Sequence, residues 1–210
     1  ALDEYAEERI YNIVALRGDL NTTESCPLAD DSYGSAAALV RGIRSRSDGN
    51  QFHISVAGYP EVHPKAQSRK ADLDILKRKV EEGADCILTQ FFFDPAIYLQ
   101  FLEATERLRI DVPIVPGIIA ISDFPRISRF AEKCGTTMPE WIVERLASID
   151  PGSEDAISLA KEITIQQCSQ LIENGVRMFH FYTLNQLGLI ASICETLEKE
   201  YDLEISSTNP

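Results

Sequence analysis

The sequence has few histidines, no closely spaced cysteines and no long run of apolar residues. Its five cysteines lie far apart with no CxxC pair, which favours free thiols in a reducing cytoplasm over a disulfide framework. The three histidines are too scattered for the spacing of metal ligands, so we predict no metal site. Because neither a signal peptide nor an apolar run of membrane length is visible, we expect a cytoplasmic protein without a membrane span.

Positive charge is also scarce. Lys and Arg number 20 against 33 Asp and Glu, which gives a formal net charge of -13 at pH 7. This balance argues against nucleic acid or an anionic membrane surface as a partner. An anionic ligand would need a local basic cluster, and the densest basic run is Lys77-Arg78-Lys79. A solvated helix face is the alternative explanation of that run.

The hydrophobic pattern indicates a single α/β domain over residues 1–210, since 210 residues with 44% hydrophobic content can build one sizeable core. Short apolar runs alternate with helical segments. We predict strands near residues 11–16, 52–59, 86–88, 111–120 and 178–184, each followed by a helix. Polar residues gather after the strands and never before them, which is the arrangement of a (β/α)-barrel face.

The most informative strand lies in Asp85-Cys-Ile-Leu-Thr-Gln-Phe-Phe-Phe-Asp94. Gln90 stands at its carboxyl end, where a neutral amide is costly to bury unless it has a partner or a function. Ligands bind at this end of the strands in α/β folds. Gln90 is therefore the first candidate for a ligand contact, and capping of the next helix is the alternative.

Two further strand ends carry candidate residues. Arg17-Gly18-Asp19 follows the first strand and combines opposite charges with a permissive backbone, although a salt-bridged turn explains it as well. The second strand leads into Gly58-Tyr-Pro-Glu-Val-His-Pro64, a loop stiffened by two prolines. His63 in this loop either contacts a ligand or packs within the loop.

Six motifs of the chain resemble methylenetetrahydrofolate reductase in order and spacing. They are Ala15-Leu-Arg-Gly-Asp19, Ala57-Gly-Tyr-Pro-Glu-Val-His-Pro64, Leu76-Lys-Arg-Lys-Val80, Thr89-Gln-Phe-Phe-Phe-Asp94, Ile114-Val-Pro-Gly117 and His180-Phe-Tyr-Thr-Leu-Asn185. Each motif is weak alone, but together they extend the resemblance over essentially the whole chain. The resemblance implies a (β/α)8 TIM-type barrel, of which this chain carries about the last five βα units.

The resemblance also implies a function. It is the FAD-dependent reduction of 5,10-methylenetetrahydrofolate to 5-methyltetrahydrofolate with NAD(P)H, a step of one-carbon metabolism and methionine biosynthesis. Both substrates take turns on one flavin face in a ping-pong scheme. We expect a homo-oligomer of undefined size. The choice between NADH and NADPH stays open, because the chain has no Gly-rich dinucleotide fingerprint.

Residue roles follow from the same resemblance. The FAD contacts are Arg17, Gly18, Asp19, Gly34, Tyr59, His63, Ala66, Asp72, Arg78 and Lys79. The substrate contacts are Asp19, Gln90, Phe130 and Gln186. Asp19 matches the acid that meets the pterin and Gln90 matches the glutamine shared by both substrates, so these two are the catalytic candidates. Arg78 and Lys79 offer the positive charge that the FAD pyrophosphate needs.

The chain departs from the family pattern in three respects. Arg126 stands where well-known members have glutamine, and Gln186 stands where a substrate-side arginine is usual. No residue matches the family's general-acid glutamate, which belongs to three strands without a counterpart here. We expect the chain to be a fragment of a complete enzyme. The alternative is a non-catalytic flavin- or folate-binding subunit, or an inactive fragment.

Overall fold

Five parallel strands form one sheet in the computed structural model of the protein, which describes residues 1–16 and 33–201. The strands are β1 (Asn12–Ala15), β2 (His53–Gly58), β3 (Cys86–Phe91), β4 (Ile114–Ile118) and β5 (His180–Phe181). They pair in chain order, and every neighbouring pair is parallel. The predicted strands are therefore confirmed, with β3 longer and β4 and β5 shorter than the sequence pattern indicates.

The consecutive strand order distinguishes this sheet from a doubly wound one, in which the order reverses at a switch point. When each right-handed crossover advances the sheet by one strand in the same direction, the connecting helices fall on one face. The result is a five-stranded parallel α/β half-barrel. The closed (β/α)8 barrel stays a prediction.

Strand β3 continues through the polar residues that interrupt its apolar run. Thr89 is completely buried, and its Oγ1 accepts the N–H of Gly117 on β4 at 2.8 Å. This hydrogen bond satisfies a polar side chain that the sequence pattern alone makes unfavourable inside a sheet. Gln90 consequently belongs to the strand rather than to the loop that follows it.

Eight α-helices occur in the described part of the chain. They are α1 (Leu2–Glu7), α2 (Ala36–Arg44), α3 (Arg69–Glu81), α4 (Pro95–Arg107), α5 (Phe124–Cys134), α6 (Glu140–Leu146), α7 (Glu154–Glu173) and α8 (Leu187–Tyr201), with a 3-10 turn at Gly49–Gln51. Five of them begin at a side chain that accepts a backbone N–H of the first turn: Ser35, Ser68, Asp94, Asp123 and Ser153. Local capping signals thus define most helix starts.

The core consists of three apolar clusters. One joins β2 and β3 to α2, α3 and α4 through fully buried residues such as Ile54, Val56 and Ile87. A second fills the space around α7 and α8. The third packs Phe91 and residues after β4 against α5 and α6. This third cluster supports the carboxyl ends of β3 and β4, where the predicted site lies.

Arg44 at the end of α2 joins three segments at the amino ends of the strands. Its Nε donates to the carbonyl of Gly83 at 2.9 Å, and its Nη1 donates to the carbonyls of Gly49 and Phe52, both at 2.8 Å. It also forms an ion pair with Asp85, whose carboxylate accepts a backbone N–H of β2 at 2.6 Å. The guanidinium fork fits this site because it offers several donors in a fixed plane.

Four cysteines lie in the described part of the chain and all are free thiols. Cys86 and Cys168 are buried, whereas Cys134 and Cys194 are half-buried. Their placement agrees with small core residues rather than a disulfide framework. Among the helices of this part of the chain, none combines the length and apolar character that crossing a membrane requires.

Candidate functional site

Two predicted ligand-contacting residues meet at the carboxyl edge of the sheet. Tyr59, directly after β2, and Gln90, near the end of β3, line one narrow crevice. The segment that ends α5 forms its other wall, where Gly135 has a φ of 69° and closes the helix. The structure thus brings these two residues together, and their contact with a ligand stays a prediction.

The side-chain carbonyl oxygen of Gln90 is used locally. Its Oε1 accepts the N–H of Phe91 at 3.1 Å. No hydrogen bond within residues 33–201 uses its amide nitrogen, which carries two N–H donors. The alternative that Gln90 caps the next helix is wrong, because Asp94 accepts the N–H of Ala96 at 2.9 Å and caps α4.

Three side chains from later segments fix the backbone around Gln90. The hydroxyl of Tyr182 donates to the carbonyl of Thr89 at 2.9 Å, the hydroxyl of Thr136 to that of Phe91 at 3.1 Å, and the amide of Gln167 to that of Phe92 at 2.7 Å. Satisfied carbonyls on both sides hold the strand end in one conformation. Sequence reasoning missed these residues, because no local pattern links positions 45 to 93 residues apart.

Gly117 allows this arrangement by close approach. A Cβ at this position would lie 2.2 Å from the carbonyl oxygen of Thr89 and 2.7 Å from the ring of Tyr182. The pairing of β3 with β4 also shifts register between Leu88 and Phe91. Only glycine leaves room for the Thr89 carbonyl to accept the Tyr182 hydroxyl here.

The imidazole of His180 and the phenol of Tyr182 lie edge to face at the end of β5, with ring centroids 4.8 Å apart. Burial raises the pKa of Tyr182 to about 12, with smaller contributions from Tyr59 and Cys134. Its hydroxyl therefore stays protonated and able to donate at physiological pH. Burial lowers the pKa of His180 below its ordinary value, which favours the neutral imidazole.

Phe130 provides an apolar surface beside the crevice. Its side chain on α5 is 37% exposed, and its ring centroid lies 5.3 Å from that of Phe91. Phe91 directly follows Gln90 and also meets the ring of Tyr182 at 6.1 Å. The predicted substrate contacts Gln90 and Phe130 are thus joined through one buried aromatic side chain.

The loop after β2 gathers four of the predicted FAD contacts. The rings of Tyr59 and His63 meet edge to face at 4.5 Å. Asp72 accepts the backbone N–H of His63 at 2.9 Å, and the N–H of Ala66 donates to the carbonyl of His63 at 2.8 Å. Because Nδ1 of His63 accepts the N–H of Lys65 at 3.0 Å, the neutral ring carries its proton on Nε2.

The three residues of the basic run on α3 lie in three different environments. Lys77 pairs with Glu81 at 3.8 Å, and Arg78 is exposed with no ion pair among the described residues. Lys79 is half-buried and donates to the carbonyl of Ala57 at 2.8 Å. Burial lowers the pKa of Lys79, and the charge of Asp72 opposes this shift. A wholly solvated helix face is therefore not the explanation of this run.

The remaining predicted cofactor contacts are Arg17, Gly18, Asp19 and Gly34, and the structure says less about them. Arg17, Gly18 and Asp19 lie outside the described residues. Gly34 precedes the α2 cap Ser35, and a Cβ there would meet no atom of the described residues within 4 Å. Those residues give no steric reason for a glycine at that position, and its flavin contact stays a prediction.

Arg126 and Gln186, the two departures from the family pattern, line one small cavity. Its walls come from the segments after β4 and β5 and from α5, and include Tyr182 and Asp123. Arg126 is its only cationic lining residue in the described part of the chain. Among the same residues, no group of three or more His, Cys, Asp or Glu could hold a metal ion.

Comparison with known proteins gives a consistent result. A family model described as methylenetetrahydrofolate reductase matches residues 1–198. The 5,10-methylenetetrahydrofolate reductase of Pectobacterium carotovorum subsp. carotovorum is 42% identical over 194 residues, which cover 92% of this chain and 62% of that protein. The protein of the same name from Escherichia coli (strain K12) is 40% identical, with 92% of this chain and 63% of that protein covered. The chain thus spans less than two thirds of the length of these relatives.

One solved structure shares the fold. It is an uncharacterized protein from Clostridium thermocellum that binds two copies of 5-methyl-5,6,7,8-tetrahydrofolic acid. The TM-score is 0.54 at 14% identity, and the match covers 83% of this chain and 62% of that chain. At this identity the likeness concerns the fold alone.

Proposed function

The chain belongs to the methylenetetrahydrofolate reductase family, and we propose that the protein containing it reduces 5,10-methylenetetrahydrofolate to 5-methyltetrahydrofolate with NAD(P)H and FAD. The observation that carries the proposal is the constellation of Tyr59, Gln90 and Phe130 around one strand end in a chain of this family. A closed (β/α)8 barrel, a homo-oligomer and a cytoplasmic location are parts of the same proposal.

The residues around the β2 loop fit an anionic flavin nucleotide. Arg78 has no ion pair among the described residues, and Lys79 has donors beyond the one given to Ala57. Both would bind the pyrophosphate, with Tyr59, His63, Ala66 and Asp72 holding the neighbouring loop. We assign Arg17, Gly18, Asp19 and Gly34 to the same cofactor from the family resemblance. FAD supplies the hydride-transfer chemistry when bound.

Gln90 is proposed as the side chain that both substrates meet. Its amide N–H groups, which no hydrogen bond within residues 33–201 uses, can donate to an acceptor on either the pterin or the nicotinamide, and Phe130 can pack on the apolar face of each. Use of one position by two substrates requires them to bind in turn, which is the basis of the proposed ping-pong scheme. Asp19 is proposed to accept hydrogen bonds from the pterin.

The test is anaerobic stopped-flow kinetics on the full-length protein, with flavin absorbance as the signal. NAD(P)H should bleach the flavin, and 5,10-methylenetetrahydrofolate should restore its absorbance. Gln90→Leu should slow both half-reactions, while Gln100→Leu on the exposed side of α4 should slow neither. A protein that purifies folded without flavin and binds none would contradict the proposal.

Asp19→Asn separates the two half-reactions. Because the carboxylate is assigned to the pterin, this variant should keep FAD and slow reoxidation by the folate about tenfold or more, a typical cost of losing a charged hydrogen bond. Flavin reduction by NAD(P)H should change less. Equal losses in the two half-reactions would rule out the pterin assignment.

A further inference from the structure

The side chain of Glu61 connects the loop after β2 to the segment between α5 and α6. Its Oε1 accepts the backbone N–H of Thr137 at 2.8 Å, and its Oε2 accepts the hydroxyl of the same threonine. The two residues are 76 positions apart in the chain. A carboxylate has two acceptor oxygens, so it can receive both donors of one threonine at the same time. We call this pair of hydrogen bonds the clasp.

The clasp joins the two walls of the narrow crevice that contains Gln90. Glu61 lines one wall, and Gly135, two residues before Thr137, lines the other. The two segments are in close contact here, since a Cβ on Gly135 would lie 3.0 Å from the ring of Pro64. Because the segments touch at this point, the clasp helps to fix the width of the crevice.

Each of the two joined segments carries residues of the proposed function. The loop after β2 begins with Tyr59, which is assigned to FAD. The other segment continues α5, the helix of Phe130, which is assigned to the substrates. In this segment the hydroxyl of Thr136 donates to the carbonyl of Phe91 at 3.1 Å. The clasp thus connects the proposed cofactor side of the crevice with the proposed substrate side.

Helix α3 holds the same loop from its other side. Arg69 donates to the carbonyls of Pro60 and Glu61 at 3.2 and 3.3 Å, and Asp72 accepts the N–H of His63 at 2.9 Å. Since α3 directly follows the loop in the chain, these hydrogen bonds maintain the shape of the loop without attaching it to α5. The clasp adds that attachment.

We propose that Glu61 is a positioning residue, which holds the FAD contacts and the substrate contacts in one arrangement before either ligand binds. This inference rests on the proposed function, because it takes FAD at the loop and the substrates beside Phe130. A loop that is already ordered loses less conformational entropy when a ligand binds. Loss of the clasp should therefore weaken binding on both sides of the crevice.

The test uses the full-length protein and measures the dissociation constant of FAD by flavin fluorescence. It also measures KM and kcat for 5,10-methylenetetrahydrofolate at saturating FAD. Glu61→Ala should raise the dissociation constant and the KM about fivefold each, which is typical for the loss of an exposed hydrogen bond. The value of kcat should stay close to that of the natural protein, because the lost energy concerns binding. Glu61→Gln should restore most of the affinity, since its amide can accept the N–H and donate to the hydroxyl.

Two further variants show whether the effect passes through the clasp. Thr137→Val removes only the hydroxyl donor and should act in the same direction as Glu61→Ala, but less strongly. The double variant Glu61→Ala, Thr137→Val should be no worse than Glu61→Ala alone, because both substitutions remove one interaction. Glu162→Ala is the matched control: it breaks an exposed pair with Arg145 at 2.9 Å between α6 and α7, and neither residue lines the crevice. It should change neither constant.

The outcomes separate the inference from the function on which it rests. Unchanged FAD affinity and KM in Glu61→Ala would overturn the positioning role, and so would single effects that simply add in the double variant. Equal losses in the Glu162 control would assign the effect to general stability and overturn it as well. A natural protein that binds no FAD would instead contradict the proposed function itself.

Discussion

The ammonium group of Lys79 serves both the sheet and the proposed cofactor. It donates to the carbonyl of Ala57, which lies one residue beyond Val56, where the pairing of β1 with β2 ends. Beyond the end of the neighbouring strand, a strand carbonyl has no backbone N–H to accept and needs a donor from elsewhere. The remaining N–H groups of Lys79 are the ones that we assign to the pyrophosphate of FAD.

Lys79→Met should weaken FAD binding about tenfold or more, because a charge-assisted hydrogen bond is lost. Substrate KM at saturating FAD should stay close to that of the natural protein. Flavin fluorescence titration measures the affinity. Lys77→Met removes the same charge from the same helix at a residue paired with Glu81, and it should leave FAD binding unchanged. An unaltered affinity in the Lys79 variant would refute its phosphate role.

Tyr182→Phe should slow the reaction as well as destabilise the protein. The ring contacts stay, but the Thr89 carbonyl loses its donor, at a cost of about 1–2 kcal/mol in the free energy of unfolding. Because that carbonyl precedes Gln90, kcat should fall. Urea unfolding and steady-state rates give the two values.

Tyr98→Phe is the matched control for this prediction. Tyr98 is also buried and donates to a strand carbonyl, that of Ile114 at 2.7 Å, but at the amino edge of the sheet. It should lose similar stability and keep its kcat. Equal effects of both variants on kcat would show that Tyr182 acts through stability alone.

At the scale of secondary-structure elements, the sequence predicts those features that are determined by residues close together in the chain. Helix starts follow from capping side chains such as Ser68 and Asp94, and strands follow from apolar runs. The continuation of β3 to Phe91 depends instead on Gly117, whose N–H satisfies buried Thr89 from 28 positions away. A single sequence contains no signal for such a contact.

The candidate site likewise has one part that the sequence predicts and another that depends on contacts between distant segments. Gln90 is recognisable because it is polar at a buried strand end, but the side chains that fix its backbone are ordinary residues of distant segments. Lys77-Arg78-Lys79 attracts notice because it is contiguous, yet its members point to different environments.

Arg44 connects α2 to the amino ends of β2 and β3. Its replacement should therefore weaken the packing of these three elements against one another. Arg44→Lys keeps the charge but cannot reach several carbonyls and Asp85 together. We expect a loss of about 1–3 kcal/mol in the free energy of unfolding, because backbone carbonyls that Arg44 satisfies lose their donors. Urea unfolding measures it.

Arg46→Lys is the control for Arg44. Arg46 pairs with Asp3 at 2.5 Å and Asp48 at 2.8 Å, but within the described residues its guanidinium donates to no backbone carbonyl, so a lysine can keep these charge pairs. Its unfolding midpoint should stay close to that of the natural protein. A comparable shift in both variants would indicate that charge rather than the guanidinium geometry matters at Arg44.

At the scale of the whole molecule, His180 should contribute to acid sensitivity. Burial lowers its pKa below the ordinary value of 6.5, so the unfolded chain takes up a proton first as the pH falls below that value. Unfolding is then linked to proton uptake, and the stability decreases with falling pH. The groups that contact the ring include Tyr182, which stays neutral in this range.

His180→Gln should flatten the stability profile below pH 6.5. Thermal unfolding between pH 7 and about pH 5, where acid sensitivity of this kind develops, provides the measurement. Identical profiles for the natural protein and the His180 variant would assign the acid sensitivity to other groups.

The hydrogen bonds that hold the end of β3 also set the order in which the protein can mature during synthesis. A ribosome releases the chain from its amino end, and segments that are already complete can fold before the rest appears. Strand β3 can pair with β2 early, but the carbonyls around Gln90 wait for Thr136, then Gln167, then Tyr182. The backbone around Gln90, the proposed substrate contact, is therefore completed only after β5 has emerged and joined the sheet.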